Sequence, residues 1–240
     1  MAIFAMSDLH LSFSADKPMD VFGPSWHNYM DRIYDNWQNN VSPDDLVIVG
    51  GDISWAMYLD EAKEDFNFLN SLHGHKLLIR GNHDYWWSSY AKLTAFTKDN
   101  GFDTITFLQN DAFLWQNTVI SGTRGWLTPK DASFSSSDSK IYERELIRLE
   151  LSLSSAQKLK KENAGITRHV AVLHYPPVSS DACVDEGFSS LFSSYGVTDC
   201  IYGHLHGPSC ASGFNGTKDD VRYVQSSCDY LSFTPFKLDE

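Results

Sequence analysis

Short apolar runs alternate along the chain with longer segments in which apolar residues recur every three or four positions. Four of the runs are composed mainly of aliphatic residues, and they lie at Ile3–Met6, Leu46–Val49, 76–79 and 170–173. Short runs of this kind are typical of strands that are buried on both faces of a sheet. We therefore predict four interior strands at these positions.

The periodic segments predict amphipathic helices. A first stripe begins after Ser25, which we expect to act as the N-cap, and two further stripes fall at residues 59–69 and 142–156. The apolar positions are Trp26, Tyr29, Ile33 and Trp37 in the first stripe, Leu59, Ala62, Phe66 and Leu69 in the second, and Tyr142, Leu146, Leu149, Leu153 and Ala156 in the third. Strands that alternate with helices imply βαβ units, in which ligands bind at the carboxyl ends of the strands.

The middle of the chain has a different pattern. Residues 111–121 predict a β-hairpin with Gln116 and Asn117 as its turn, and a serine-rich loop is expected at 133–139. The region 126–165 has two interpretations, a helical lid or insertion over a site and an amphipathic helix packed on the body of the domain. The helical periodicity favours the packed helix, because such a stripe indicates burial.

Composition limits the class of protein. The chain has 240 residues, of which 42% are hydrophobic and 21% charged, and we expect a single domain that spans 1–240. The net charge of −12 opposes long-range attraction to nucleic acid or to an anionic membrane. The N-terminal apolar run lacks a basic flank and is interpreted as a strand, and no run reaches membrane-spanning length, so a cytoplasmic location is expected. The cysteines have no Cys-x-x-Cys spacing, which predicts buried thiols at Cys183, Cys200, Cys210 and Cys228.

Side chains that can bind metals follow the predicted strands. The motifs are Asp8-Leu9-His10, Gly51-Asp52, Gly81-Asn82-His83-Asp84, His174 and Gly203-His204-Leu205-His206-Gly207. If the first strand continues through its motif, Asp8 and His10 leave the same face, because side chains alternate along a strand. A mixture of carboxylate, imidazole and amide ligands without thiolates favours Mn, Fe, Zn or Ni over Ca.

The order and spacing of these motifs, from Asp8 to His206, resemble those of the calcineurin-like metallophosphoesterases. This superfamily includes protein serine/threonine phosphatases, purple acid phosphatases, cyclic-nucleotide phosphodiesterases and nucleases. The opening Met-Ser-Asp-Leu-His and the short Gly-His-Leu-His are most similar to small bacterial phosphohydrolases of unassigned substrate. The resemblance implies an α/β fold, an αββα sandwich of two mixed sheets flanked by helices, with a dinuclear metal site in loops at the sheet edge.

The resemblance also implies a role for each motif residue. One metal ion is expected to be held by Asp8, His10 and His206, and a second by Asn82, His174 and His204, with Asp52 as the bridging ligand. Two transition metal ions placed in this way activate a water molecule for attack on a phosphoryl group. His83 is expected to be the general acid that protonates the leaving group.

The neighbours of His83 bear on its role. In the serine/threonine phosphatases an acidic residue three positions after the bridging aspartate pairs with this histidine, whereas here that position is Trp55. His83 is therefore expected to be oriented by Asp84 or by no acidic group. This departure weakens the interpretation as a protein phosphatase.

Other residues beside the motifs are candidates for contact with the substrate. Arg80 and Arg124 are both candidates, because a guanidinium can bind two phosphoryl oxygens at once. Arg124, which is flanked by glycines, is the stronger of the two, and its alternative role is a surface ion pair. The aromatic run Tyr85-Trp86-Trp87 either lines a substrate pocket or belongs to the core.

The predicted function is that of a dinuclear metal-dependent phosphoesterase that acts on a phosphate mono- or diester of a small soluble molecule. The alternatives are a nuclease or a serine/threonine protein phosphatase of the same superfamily, and a catalytically silent module that binds metal or phosphate. The chain has only 19 lysines and arginines, which favours a small diester or nucleotide-like substrate whose organic group contacts Trp86 or Trp87.

Overall fold

The four aliphatic runs form parallel strands in two different sheets. In the computed structural model, which describes residues 1–178 and 183–238, these strands are Ile3–Met6 (β1), Leu46–Val49 (β2), His75–Leu78 (β3) and Arg168–Leu173 (β7). The predicted positions are confirmed to within two residues. β1, β2 and β3 are neighbours in one sheet, and β7 lies in the other.

The other strands extend both sheets, and most of the edge strands run antiparallel to their neighbours. They are Ile105–Phe107 (β4), Ala112–Trp115 (β5), Thr118–Thr123 (β6), Asp199–Tyr202 (β8), Gly216–Lys218 (β9), Val221–Gln225 (β10) and Phe236–Lys237 (β11). The first sheet has the order β11-β1-β2-β3-β4, and the second has the order β5-β6-β7-β8-β10-β9. β5 and β6 form the predicted hairpin, in which Trp115 pairs with Thr118 across the turn.

Five α-helices cover the outer faces of the sheets in the described part of the chain. They are Tyr29–Asn40 (α1), Lys63–Ser71 (α2), Tyr90–Asn100 (α3), Ser136–Glu162 (α4) and Glu186–Tyr195 (α5). The prediction that Ser25 caps α1 is wrong. Pro24–Trp26 forms a short 3₁₀ turn, and Asn28 then adopts a left-handed conformation, with φ of 50°, directly before the helix.

The alternation of side chains along the strands separates three apolar layers. On β1, Ile3 and Ala5 pack between the two sheets, whereas Phe4 and Met6 pack against the helices on the outer face. A third cluster lies between the second sheet and α4 and α5, and it includes Leu149 of α4. The order helix, sheet, sheet, helix is the αββα sandwich that the resemblance implied.

Helix α4 belongs to the outer layer of the second sheet. Leu149, Leu153 and Ala156 are fully buried, and the hydroxyl of Ser152 accepts a hydrogen bond from the backbone N–H of Gly122 at 2.8 Å. The predicted serine-rich loop is shorter than 133–139, because Ser135 and Asp138 form a capping box and the helix begins at Ser136. That residues 126–165 also act as a lid stays a prediction.

The cysteines and the helix lengths give two further results. Cys200 and Cys228 are buried, as predicted, whereas Cys183 and Cys210 are half-buried. Among the residues described, no helix combines the length and the hydropathy needed to cross a lipid bilayer.

Candidate metal centre

The predicted metal-binding residues come together at one edge of the sandwich, where the carboxyl ends of strands from both sheets meet. Each follows a strand: Asp8 and His10 follow β1, Asp52 follows β2, Asn82 follows β3, His174 follows β7, and His204 and His206 follow β8. Most of these side chains are buried, although His206 keeps 29% of its surface exposed. The site is therefore walled by protein and opens beside His206.

One group consists of Asp8, His10 and His206. Nε2 of His206 lies 3.2 Å from Oδ1 of Asp8 and 3.2 Å from Nε2 of His10. The second oxygen of Asp8 accepts hydrogen bonds from the hydroxyl of Ser7 and from the backbone N–H of His204. These bonds hold the carboxylate so that its first oxygen faces the two rings.

The other group consists of Asn82, His174 and His204. Oδ1 of Asn82 lies 2.7 Å from Nε2 of His174 and 2.9 Å from Nδ1 of His204. The ring of Tyr175 packs against that of His204 at a tilt of 34°, with 4.0 Å between centroids, which limits the rotation of the imidazole. The three donor atoms thus converge on one point.

Asp52 lies between the two groups. Its Oδ2 is 3.9 Å from Nε2 of His10 and 3.4 Å from Nε2 of His174. Its other oxygen accepts a hydrogen bond of 2.8 Å from the backbone N–H of His83. The carboxylate is therefore fixed with one oxygen directed at both groups.

Asp8 and His10 converge because of their backbone conformation, and not because side chains alternate along a strand. β1 ends at Met6, and both residues lie beyond it with positive φ angles of 61° and 46°. Asp52 and His204 also have positive φ, at 52° and 72°. Backbone conformations of this kind cost energy and cluster at functional sites, so the loops turn these side chains inward at the expense of strain.

Two glycines allow the loops to approach each other closely. A Cβ atom at Gly81 would collide with the side chain and backbone of Asp52, and one at Gly203 would collide with Ser7 and Asp8. The glycines of the Gly-Asn-His-Asp and Gly-His-Leu-His motifs are therefore required by packing.

The donor atoms fit bound cations. Nδ1 of His174 donates a hydrogen bond of 3.0 Å to the carbonyl oxygen of Gly50, so in the neutral ring Nε2 carries the lone pair. That lone pair faces oxygens of Asn82 and Asp52. Facing acceptors repel unless a positive charge lies between them. Burial lowers the pKa of His174, but the carboxylates of Asp52 and Asp8 raise it to about 9, so a proton on Nε2 supplies that charge in the metal-free protein and a bound metal ion would replace it. Within residues 1–178 and 183–238, two sets of acidic and imidazole groups are close enough to share an ion, namely Asp8 with His10 and His206, and Asp8 with Asp52 and His174.

The charges of neighbouring side chains and burial set the protonation states of the predicted metal-binding residues. Burial raises the pKa of Asp8 and Asp52, but the surrounding imidazoles lower it, to about 2 for Asp52 and below the usual range for Asp8. Burial lowers the pKa of His10 and His204 to about 4, so both rings are neutral at pH 7. Ionised carboxylates and neutral imidazoles are the forms that bind metal ions.

Asp229 is part of the site and could not be identified from the sequence. Its Oδ1 accepts a hydrogen bond of 3.0 Å from Nδ1 of His206, and its Oδ2 accepts one of 2.8 Å from the backbone N–H of Gly207. A carboxylate behind a metal-binding histidine fixes the orientation and tautomer of the ring. Asp229 stands alone after β10 in Ser-Cys-Asp-Tyr, where no motif marks it.

His83 lies beside the first group and has no acidic partner among the described residues. Its ring centroid is 5.8 Å from that of His10 and 4.6 Å from that of Trp55, and its Nδ1 is buried without a hydrogen bond. Asp84 does not orient it. The carboxylate of Asp84 instead accepts hydrogen bonds from the backbone N–H groups of Asp52, Ile53 and Gly81, so it supports the loops that carry the ligands.

The arginine and aromatic candidates lie at the same edge. The guanidinium of Arg124 is 3.3 Å from Glu145, a fully buried carboxylate, and 4.4 Å from the ring of Trp126. Trp86 belongs to the core, which is one of the two roles predicted for the aromatic run, and its indole N–H donates to Asp84. Trp87 is 9% exposed and lines a small cavity next to Arg124.

Comparison with known proteins gives a family and a set of distant structural neighbours. The family model described as calcineurin-like phosphoesterase matches residues 1–208. No curated protein matches the chain. The solved structures that share the fold include a protein of unknown function from Aquifex aeolicus, with 16% identity, 98% of this chain and 95% of that chain covered, and a TM-score of 0.50.

Two further structures have the same fold. The phosphopantetheinyl hydrolase of Mycobacterium tuberculosis is 16% identical, with 99% of this chain and 95% of that chain covered and a TM-score of 0.53. A protein from Thermus thermophilus is 11% identical, with 99% of this chain and 97% of that chain covered and a TM-score of 0.56. At these identities the likeness is one of fold.

Proposed function

The chain belongs to the calcineurin-like phosphoesterases, and from this premise we propose that it hydrolyses a phosphate mono- or diester of a small soluble molecule with two bound metal ions. The observation that carries the proposal is the position of Asp52, whose Oδ2 faces both His10 and His174. A carboxylate shared by two ligand groups is suited to a pair of ions. The structural neighbour named a phosphopantetheinyl hydrolase is in keeping with a hydrolytic function.

Seven residues would hold the ions in this proposal. Asp8, His10 and His206 form one group, Asn82, His174 and His204 form the other, and Asp52 bridges them. A pair of bound Mn, Fe, Zn or Ni ions supplies an activated water and offsets the charge of the phosphoryl group. Backbone N–H groups and Asp229 keep the ligand atoms directed inward, so the geometry exists before the substrate binds.

His83 is the proposed general acid. In the reaction an oxygen of water forms a bond to phosphorus, the ester P–O bond breaks, and the leaving oxygen takes a proton. His83 lies beside the first ligand group but is not one of its members, so it is free to donate that proton. Trp55, which stacks on His10 with 4.9 Å between centroids, occupies the place of an acidic partner.

The structure also bears on the alternatives. With Trp55 packed against His83, the acidic pair expected of a serine/threonine phosphatase is missing among the described residues. The arginines next to the site line a cavity of about 60 Å³, which is much smaller than the extended basic groove that a nuclease needs. Both observations favour a small substrate.

The proposal is tested by metal reconstitution. Metal-free protein is loaded separately with Mn²⁺, Fe²⁺, Zn²⁺ and Ni²⁺, metal content is measured, and p-nitrophenyl phosphate and bis-p-nitrophenyl phosphate are offered as mono- and diester. We expect about two ions per chain and hydrolysis that is lost on chelation and regained on re-addition. Protein that binds two ions but hydrolyses no ester would instead be a silent binding module.

A further inference from the structure

The small cavity beside Arg124 and Trp87 lies at the same edge of the sandwich as the metal centre. It has a volume of about 60 Å³ and is lined by the ends of β3, β4 and β6 together with α4. A cavity of this size has room for a few water molecules or for one oxyanion. The residues that give it its charge are Arg80, Arg124, Arg148 and Glu145.

Positive charge exceeds negative charge around this cavity. Oε1 of Glu145 pairs with Arg124 at 3.3 Å and with Arg148 at 2.7 Å, and its Oε2 accepts the hydroxyl hydrogen of Thr123 at 2.6 Å. Among the described residues, Glu145 makes no ion pair with Arg80. Three guanidinium groups face one carboxylate, so two positive charges remain uncompensated by the residues that line the cavity.

Donor groups at the cavity lack acceptors. Arg80 is half-buried and makes no hydrogen bond or ion pair with any residue in the described ranges, and the Nε atoms of Arg80 and Arg124 are both buried without a partner. Buried donors without acceptors cost about 1–3 kcal/mol each, more for charged groups. An anion in the cavity would accept hydrogen bonds from these two Nε–H groups and would offset the excess positive charge of the three arginines.

The cavity lies within reach of a substrate bound at the metal centre. Arg80 is two residues before Asn82, so their Cα atoms are at most about 7.6 Å apart. The carbonyl oxygen of Arg124 accepts the backbone N–H of His174 at 3.0 Å. Both walls of the cavity thus continue directly into the second ligand group.

We propose that Arg80, Arg124 and Arg148 form a subsite for a second phosphoryl group, so that the preferred substrates carry two phosphoryl groups joined by a short linker, as in derivatives of a nucleoside diphosphate. This inference rests on the proposed function, because it assigns the first phosphoryl group to the metal centre. It also revises the expectation from composition: cations are few in the chain, but three of them gather beside the site.

The test compares methylenebisphosphonate, which carries two phosphonate groups, with methylphosphonate, which carries one. Both are measured as inhibitors of p-nitrophenyl ester hydrolysis at a fixed free metal concentration. We expect the wild-type protein to bind the bisphosphonate at least about tenfold more tightly. Arg148→Gln should raise the inhibition constant of the bisphosphonate by on the order of 10- to 100-fold, and that of methylphosphonate by much less.

Matched variants separate the subsite from other effects. Arg148 is 38% exposed, which favours a folded variant, and Arg80→Gln is the second variant if Arg148→Gln does not fold. Arg144→Gln changes an exposed arginine of the same helix and should alter neither constant. Any inhibition that arises because the bisphosphonate removes metal is the same in all the proteins. Inhibition that does not depend on Arg148 and Arg80 therefore overturns the proposal.

Two further results would lead to different conclusions about the subsite and about the proposed function. If inorganic phosphate shows the same dependence on Arg148 as the bisphosphonate, the cavity binds free phosphate and the substrate assignment is wrong. If no ester is hydrolysed, the proposed function fails, and calorimetric titration of the metal-loaded protein with the two phosphonates still decides the subsite. Equal affinities for the two compounds in that titration would overturn the subsite.

Discussion

Oδ1 of Asp229 accepts a hydrogen bond of 3.0 Å from Nδ1 of His206, and the opposite nitrogen of the same ring lies 3.2 Å from Asp8. The carboxylate thus keeps a proton on Nδ1 and leaves Nε2 as the nitrogen that would bind a metal ion once its own proton is displaced. Burial lowers the pKa of His206, but the negative charges of Asp8 and Asp229 together raise it to about 10. Asp229 therefore makes the ring a stronger base and, by the same effect, a stronger ligand.

Asp229→Asn is expected to weaken metal binding by about 10- to 100-fold without unfolding the protein. The amide retains the size of the side chain but loses the negative charge that polarises His206. Metal affinity is measured by titration of the metal-free protein with Mn²⁺. Asp220→Asn, at an exposed turn, is the control and should bind as the wild type does. Equal affinities for both variants would remove Asp229 from the site.

Much of the fold could be predicted because it depends on local patterns. The strands are aliphatic at nearly every position, and β5 and β6 are joined by a recognisable turn. The start of α1 was misplaced because a stripe of apolar residues continues through a 3₁₀ turn, so periodicity alone does not show where the α-helix begins. Helices α3 and α5 were not predicted.

The motif residues could be identified, but their supporting residues could not. Asp8, Asp52 and the histidines stand in recognisable motifs, whereas Asp229 and Glu145 are single acidic residues that resemble surface positions. Glu145 is fully buried because two arginines and Thr123 surround it, and those partners lie on other parts of the chain or a turn away. Contacts between distant segments leave no periodic signal in the sequence.

Asp52→Asn should lower metal content and abolish hydrolysis together. Loss of the shared carboxylate leaves two cations to repel each other at short distance. The carbonyl oxygen of asparagine can still accept the N–H of His83, so the loop should keep its conformation. Elemental analysis and turnover are measured on the same sample. Retention of both ions with normal turnover would show that Asp52 does not bridge them.

Protonation of His169 in the unfolded state should make the protein less stable in mild acid. Burial, with a smaller effect of Lys160, lowers its pKa to about 4, and the ring is held by Ser121 and the carbonyl of Tyr195. Unfolding returns the pKa to about 6.5, so between pH 6.5 and 4 the unfolded state binds more protons and stability falls as the pH falls. The loss from this group between pH 7.5 and 5.5 is about 1 kcal/mol.

The measurement for His169 is chemical unfolding at the two pH values. His169→Gln, which retains a hydrogen-bond donor and acceptor, should lose about 1 kcal/mol less than the wild type on acidification. His27→Gln changes an exposed histidine and should follow the wild type. The same loss in all three proteins would mean that His169 does not titrate on unfolding.

His83→Asn should leave metal binding intact and slow the hydrolysis of alkyl phosphate esters by on the order of 10²–10⁴. A general acid matters most when the leaving oxygen is strongly basic, so the loss should be much smaller with p-nitrophenyl esters. Rates with both kinds of ester and metal content are compared with those of His75→Asn, at an exposed histidine that begins β3. A loss of the same size with both esters would mean that His83 acts on another step than protonation of the leaving group.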